Sequence, residues 1–218
     1  MNAISMKAEV AGKLRWVLLK FIVCLVVLGL FSLAARAQTA TLKYTIEVAG
    51  LKIGTMTEMR TVTPQNTVYE QVSDVAFWFF GKIKIYYKVV SQHDALHQLI
   101  RSDVNATTNR GNYRSDIVWN NDHYDINVKQ YKYSRQATEP QRIDFTICRM
   151  YFEEPTGRDR VFAEYFGNYA SITPTGKGSY RVRIDDREDE YFYEKGKLVK
   201  IVKKNSVKNY VLRAVVGS

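Results

Sequence analysis

Cysteine is scarce in this chain, and one of its two cysteines lies in an apolar stretch near the N-terminus. Cys24 belongs to that stretch, so residues 38–218 contain only Cys148. A single cysteine forms no intrachain disulfide, which excludes a small disulfide-stapled fold and gives no reason to expect a disulfide-linked partner. Because Cys148 has apolar neighbours and no histidine close by, it is predicted to be a buried, unreactive thiol.

The chain also lacks the short motifs of common catalytic and phosphate-binding sites, such as Gly-x-Ser-x-Gly, His-Glu-x-x-His or Cys-x-x-Cys. His93 and His97 have the spacing of a helical zinc pair, but a predicted turn at His93 points the rings apart. Residues 185–190 are acidic without the spacing of a calcium loop. Glu153 and Glu154 are strand neighbours and face opposite sides. The sequence therefore predicts no metal, no cofactor and no catalytic residue, and it leaves open an enzyme with a dispersed site.

An apolar run over residues 21–33 is too short to span a bilayer comfortably. Basic residues precede it, and small residues follow at Ala35 and Ala37, which completes the three parts of a secretory signal peptide. Cleavage is expected between Ala37 and Gln38, leaving residues 38–218 as a single exported domain. An uncleaved anchor is the alternative, and the basic flank would orient it in the same way.

Much of the positive charge belongs to this helical signal peptide, residues 1–37. The formal net charge is +10, of which +4 falls in residues 1–37 and +6 in the remainder. Tyrosines alternate with lysines at 84–88 and 129–133, a pattern that could stack bases. Cross-strand aromatic and charge pairs explain the pattern more simply. Nucleic acid is therefore not expected as a partner, and the predicted location is the periplasm, or outside the cell, of a Gram-negative-type envelope.

Residues 38–218 are dominated by alternation of apolar and polar side chains, which is typical of half-buried strands. Residues 42–48 give the clearest example, and Gly54 falls where the alternation changes phase, which predicts a β-bulge. Residues 134–141 are predicted to be a polar loop and residues 142–152 a strand. The fold class is mainly β: a single curled or barrel-like antiparallel sheet of roughly ten strands.

One short helix is expected at about residues 157–166. Thr156 can cap its N-terminus with Asp159 in the capping-box position, and Gly167 can close its C-terminus. Its large apolar residues lie at helical spacing and would pack on the sheet. These residues are Val161, Phe162, Tyr165 and Phe166.

Four consecutive aromatic residues interrupt the alternation: Phe77, Trp78, Phe79 and Phe80. Successive side chains of a strand point to opposite faces, so the four cannot all face one side. They belong to a core that is covered on both faces, or they form an apolar surface for a lipid-like ligand, a membrane or a partner protein. The run is the candidate ligand or partner surface.

The stretch 150–155, Met-Tyr-Phe-Glu-Glu-Pro, is followed by Val-Phe-Ala-Glu at 161–164 and by Gly167. These residues, with the opening pattern Tyr44…Gly50…Gly54, resemble a family of exported bacterial proteins of about 200 residues that is known only as a domain of unknown function. The resemblance covers nearly all of the exported domain. It implies a β-rich fold and brings no catalytic residue with it.

Taken together, these features predict an exported, non-catalytic module that binds an apolar ligand or a cell-envelope partner. A structural or assembly protein of the envelope is one alternative, and a hydrolase with a dispersed site is another. An outer-membrane barrel would also show alternating strands, but the lysine-rich stretch 197–208 fits it poorly.

Overall fold

The computed structural model describes Trp16, Lys20 and residues 37–78, 82–204 and 209–215, with the backbone alone at 77–78 and 82–83. The chain divides into two units, Met1–Ala37 and Gln38–Ser218. In the first unit Trp16 and Lys20 are helical, and the Lys20 ammonium lies 4.2 Å from the centre of the Trp16 ring. Among the described residues, no helix combines the length and the apolar character needed to cross a bilayer.

The second unit is built on one sheet of fourteen strands, all paired antiparallel. β1 lies beside β14 in the middle of the sheet; β1–β8 extend to one side as the first wing and β14–β9 to the other as the second wing. The predicted single antiparallel sheet is confirmed, with fourteen strands rather than roughly ten. The strands β1 to β14 are Gln38–Val48, Leu51–Val62, Asn66–Trp78, Lys82–Asp94, Leu99–Thr108, Gly111–Asn120, His123–Gln130, Tyr133–Glu139, Arg160–Ala163, Asn168–Gly176, Ser179–Ile184, Arg187–Glu194, Lys197–Lys203 and Tyr210–Ala214.

The predicted bulge at Gly54 is confirmed. Ile46 of β1 pairs with Gly54 and the next residue, Glu47, pairs with Lys52, so Ile53 is the extra residue of β2. A Cβ atom at position 54 would lie 2.4 Å from the backbone oxygen of Asp74 on β3. Only glycine therefore allows β2 and β3 to approach each other this closely.

The connection from β8 to β9, residues 140–159, lies against the inner face of the sheet. The backbone N–H of Leu99 on β5 donates to the carbonyl oxygen of Ile143, at 2.7 Å. The hydroxyl of Tyr193 on β12 donates to the carbonyl oxygen of Met150, at 2.6 Å. Because β5 and β12 belong to opposite wings, the sheet must curl around the connection to touch it from both.

The short helix lies in this connection, at Ile147–Met150 (α1), and the prediction of a helix at 157–166 is wrong. Residues 160–163 form β9, and residues 164–167 form the turn into β10. Val161 and Phe162 are consequently strand residues, and both are buried.

The physical reason is that β9 is covered on both faces. Val161 packs in the core under β10–β14, whereas Phe162 packs in the core of Leu99, Ile117 and Tyr124 on the first wing. The pairs 161–162 and 165–166 are four residues apart, which is also the spacing of one face of a helix. Periodicity alone therefore does not distinguish a strand followed by a turn from a helix here.

Two further predictions are wrong for related reasons. Residues 134–141 were expected to be a loop, but Tyr133–Glu139 is the edge strand β8, whose residues are only half-buried or exposed. Residues 142–152 were expected to be a strand, but they form the buried connection around α1. Their apolar side chains are covered because the connection lies inside the sheet, and a short apolar run looks the same in either setting.

Candidate functional site

The inner faces of the two wings differ in polarity. The second wing buries aliphatic side chains and tyrosines, among them Ile172, Val182, Tyr191, Ile201 and Leu212. The first wing buries polar side chains among its apolar ones, and a buried polar group needs a hydrogen-bond partner to offset its desolvation. The buried polar residues of the first wing are Glu58, Thr67, Gln71, Ser73, Ser91, His93, Ser102, Ser115 and Gln130.

Glu58 is the one acidic side chain in this buried polar set. It pairs across the sheet with Gln71, whose side-chain N–H donates to Glu58 Oε1. The second oxygen, Oε2, is buried and has no partner among the described residues. Burial raises the pKa of Glu58 well above its ordinary value, and the nearby charge of Glu164 acts in the same direction. The environment therefore favours the neutral carboxyl.

Glu164 is a second buried acid, in the turn after β9, and it holds the inner connection in place. Its Oε2 accepts the N–H of Ile147 and its Oε1 accepts the N–H of Cys148, each at 3.1 Å. Both N–H groups belong to the first turn of α1, where they have no acceptor within the helix. Burial raises the pKa of Glu164, and the hydrogen bonds from the backbone oppose that rise.

Cys148 is buried, as predicted, in a cluster with Tyr69, Val89 and Val104. Burial raises the pKa of its thiol well above the ordinary value, and the charge of Glu164 adds to the rise. A thiol held in its neutral form is a weak nucleophile. This position suits a packing role.

His93 and His97 lie in different environments. The His93 ring is buried with its edge towards the Tyr69 ring, 5.3 Å between centres, and neither of its nitrogens has a partner among the described residues. Burial, and then the charge of Arg149, lowers the pKa of His93 to about 3. His97 is exposed in the β4–β5 turn. Among the described residues, no group of three or more His, Cys, Asp or Glu side chains could hold a metal ion.

Two serines next to His93 share its situation. Ser91 pairs with Ser102 across β4 and β5, and both hydroxyls are buried without a partner in the described part of the chain. Ser91 also pairs with Tyr69 on β3. These buried groups form a polar strip on the inner face of β4 and β5.

Of the aromatic run, Phe77 and Trp78 are the last residues of β3, whereas Phe79 and Phe80 lie outside the described residues, as do all four side chains. The backbone around the run is informative. β3 and β4 pair with each other over residues 76–78 and 82–84, beyond the last pairs that they make with β2 and β5. The end of the β3–β4 hairpin therefore has no strand pairing to β2 or to β5, although β2 itself continues from Gly54 to Leu51 towards the same end.

The four residues predicted to form a helix on the sheet are divided between strand β9 and the turn that follows it. Tyr165 and Phe166 lie in the β9–β10 turn, where their rings stack edge to face at 4.9 Å and the Arg187 guanidinium lies 5.0 Å from the centre of the Phe166 ring. Val161 and Phe162 lie in the core. The four residues thus lie in a strand and a turn rather than in a helix, and Val161 and Phe162 face two different cores.

The buried acids were missed by sequence reasoning, although one of them carried a signal. Glu58 lies two residues after the buried Met56, so it occupies an inward position of a strand whose alternation is visible in the sequence. A glutamate at a position where the alternation expects a buried apolar residue could have been identified as a buried acid from the sequence. Glu164 gave no such sign, because it follows a strand that the sequence did not reveal.

These features define a curled antiparallel β-sheet protein whose concave face is covered by its own chain. The chain belongs to the family described as domain of unknown function (DUF6134), whose model matches residues 44–215. The comparison with curated proteins found no match. A solved structure that resembles the chain is described as a beta-barrel-like protein of domain of unknown function DUF1849 from Brucella abortus. It is 11% identical, with a TM-score of 0.49, over 84% of this chain and 98% of that one.

Proposed function

We propose that this protein is exported and acts as a non-catalytic binding module, in which the aromatic run 77–80 contacts a lipid-like ligand or an apolar surface of the cell envelope. The observation that carries the proposal is that the end of the β3–β4 hairpin is not paired with β2 or β5. A hairpin end without strand partners on either side can present its residues to a ligand or to another surface. Four aromatic residues at such a place would expose a large apolar area, which is typical of interaction sites.

Export is supported by the N-terminal sequence. Residues 1–37 combine basic residues, a short apolar run and an Ala-x-Ala ending. The division of the chain into two units falls between Ala37 and Gln38, where β1 begins. A folded unit that starts at the expected cleavage position can lose the preceding segment without losing a strand.

A non-catalytic role is supported by the interior of the sheet. The buried acids and the buried histidine are enclosed by the chain's own connection, and burial favours their neutral forms. Glu164 uses both carboxylate oxygens to hold α1 of that connection in place. Binding at the rim of the sheet needs none of them.

The test is binding of a dansyl-labelled fatty acid to the full chain, purified in the form that the expressing cell delivers. Trp78→Ala is expected to weaken binding by at least about tenfold, because removing a contacting aromatic side chain costs roughly 1.5–3 kcal/mol. The control is Leu96→Ala, at a side chain that is 76% exposed in the β4–β5 turn. Equal affinities for the wild type and Trp78→Ala would refute the proposed surface, and so would the absence of probe binding.

A further inference from the structure

Charged side chains of the first wing are distributed unevenly, and positive charge is in excess at one end of its strands. Consecutive antiparallel strands reverse direction, so the turns at 49–50, 109–110 and 131–132 lie at one end, here named the first-turn end. The turns at 63–65 and 121–122 lie at the opposite, far end. At the first-turn end, residues 48–57, 84–93, 104–115 and 126–138 contain no aspartate or glutamate.

These ranges contain Lys88, Arg114 and Arg135 and five further cationic side chains, which form what we call the basic rim. All five are exposed, and within the described residues none of them forms an ion pair. The cations in the middle of the same strands behave differently: Lys88 pairs with Glu70 and Arg114 with Asp103, each at 2.7 Å. The residues of the basic rim are Lys52, Lys84, Arg110, Lys129 and Lys132.

The surrounding charges do not neutralise the rim. Two acids of the first wing lie beside it. Glu47 of β1 is the cross-strand neighbour of Lys52, but it forms an ion pair with Arg213 at 3.1 Å. The exposed Asp74 of β3 lies within the strand beside Thr55 and Tyr86. On the second wing, Asp185 and Asp186 lie in a turn at the same end, together with the exposed Arg187. The excess positive charge is therefore confined to the first wing.

Exposed apolar side chains accompany the cations of the rim. Leu51 is 72% exposed beside Lys52, and Tyr131 is 41% exposed beside Lys132. The Lys132 ammonium lies 5.4 Å from the centre of the Tyr131 ring and the Arg110 guanidinium 5.9 Å from it. Cations that bind phosphate groups, next to apolar side chains that enter the acyl boundary, are the combination found at membrane interfaces.

We propose that the basic rim docks the first-turn end of the sheet on an anionic phospholipid surface. The cations lie in or near the ends of four separate hairpins and not in one cluster of the chain, which suits an extended sheet of negative headgroups rather than a single anion. Each lysine or arginine near such a surface adds a similar increment of attraction. The inference rests on the proposed function and deepens it, because it names the surface on which an exported module of this kind acts.

The experiment is co-sedimentation of the full chain with vesicles of phosphatidylglycerol mixed with phosphatidylcholine, compared with vesicles of phosphatidylcholine alone. The wild type is expected to bind the anionic vesicles and to be released by high salt, since exposed charges are screened there. The triple variant Lys52→Glu, Lys129→Glu, Lys132→Glu is expected to bind at least about a hundredfold more weakly.

A matched control places the same change of charge at the far end: Lys177→Glu, Lys195→Glu, Lys197→Glu. These three lysines are exposed, and each triple contains one residue with a positive φ, Lys132 or Lys195. The control is expected to keep the affinity of the wild type within about threefold. Circular dichroism of both triples checks that the sheet is intact.

Several outcomes would overturn the inference. They are no binding of the wild type to anionic vesicles, equal losses in the two triples, or binding to a soluble polyanion such as heparin without binding to vesicles. Each leaves the proposed function testable on its own, because the Trp78→Ala measurement uses a monomeric fatty acid and no anionic bilayer. Fatty-acid binding without vesicle binding would support the proposed binding module and refute its docking on a membrane.

Discussion

At the scale of single residues, the buried carboxyl of Glu58 is the feature with the clearest energetic consequence. Its partner Gln71 satisfies one oxygen, and the side chain is fully buried. Burial raises its pKa, so the folded protein keeps a proton that the unfolded chain releases. This contribution to stability is complete below the ordinary value of 4.5 and is lost as the pH rises towards the raised, folded-state pKa.

We therefore expect Glu58→Gln to gain stability relative to the wild type as the pH rises from about 5 to about 8. The relative gain is at most about 1.4 kcal/mol for each pH unit, the value for one proton. Urea unfolding followed by tryptophan fluorescence at several pH values measures it. Glu194→Gln, at the exposed last residue of β12, is the control and should follow the wild type. A Glu58→Gln curve parallel to the wild type would show that the carboxyl loses its proton in the folded state.

At the scale of secondary-structure elements, the β9–β10 turn locks the second wing against the first. Gly167 ends this turn with φ +60°, and a Cβ atom there would lie 2.5 Å from Ile126 Cγ2 and 2.7 Å from Val128 Cγ2. Both methyl groups belong to branched side chains of β7, which have little freedom to move aside. The turn can approach β7 only with a glycine at this position.

Gly167→Ala is expected to destabilise the protein by roughly 2–4 kcal/mol, the sum of a left-handed backbone penalty and overpacking. Gly157→Ala provides the comparison, because Gly157 has φ +73° and no atom within 4 Å of its Cβ position. It should cost only about 1 kcal/mol. Chemical unfolding of both variants gives the difference. Equal costs would mean that the turn does not pack on β7 in solution.

How far the sequence predicts these elements depends on where each one lies. Strands with one covered face, such as β7, show alternation and were predicted, as was the bulge at Gly54. The edge strand β8 was missed because its inward positions are only half-buried and because Arg135 and Glu139 interrupt the apolar residues among them. β9 and the inner connection were misassigned because chain covers them on several sides, which removes the periodicity that separates a strand from a helix.

The candidate site was predictable to a smaller degree. The aromatic run 77–80 stands out in the sequence alone. The basic rim does not, because Lys52, Arg110 and Lys132 are far apart in the chain and only the meander of the sheet brings their turns to one end. Net charge gave no sign of it either, since the chain's excess of +10 includes the N-terminal segment.

At the scale of the whole molecule, the proposed export makes a direct prediction about the mature chain. Intact mass measurement of protein from the periplasm should give a chain that begins at Gln38. Ala37→Phe should block this processing, because signal peptidase requires a small residue there. Ala11→Phe, in the same segment but away from the cleavage position, should leave processing unchanged. A full-length mass in a cytosolic fraction would contradict export.

The pairing of β1 with β14 also determines when this molecule can become complete. Tyr44 pairs with Ala214, so the seam that unites the two wings joins residues at opposite ends of the sheet-forming chain. Contacts so distant in sequence form slowly, because the loop between them must close first. During synthesis, β1–β8 are made first. Their polar inner face stays uncovered until the connection 140–159 and the second wing have been synthesised. Under the proposed export, a sheet that closes this late would leave the chain unassembled while it crosses the membrane.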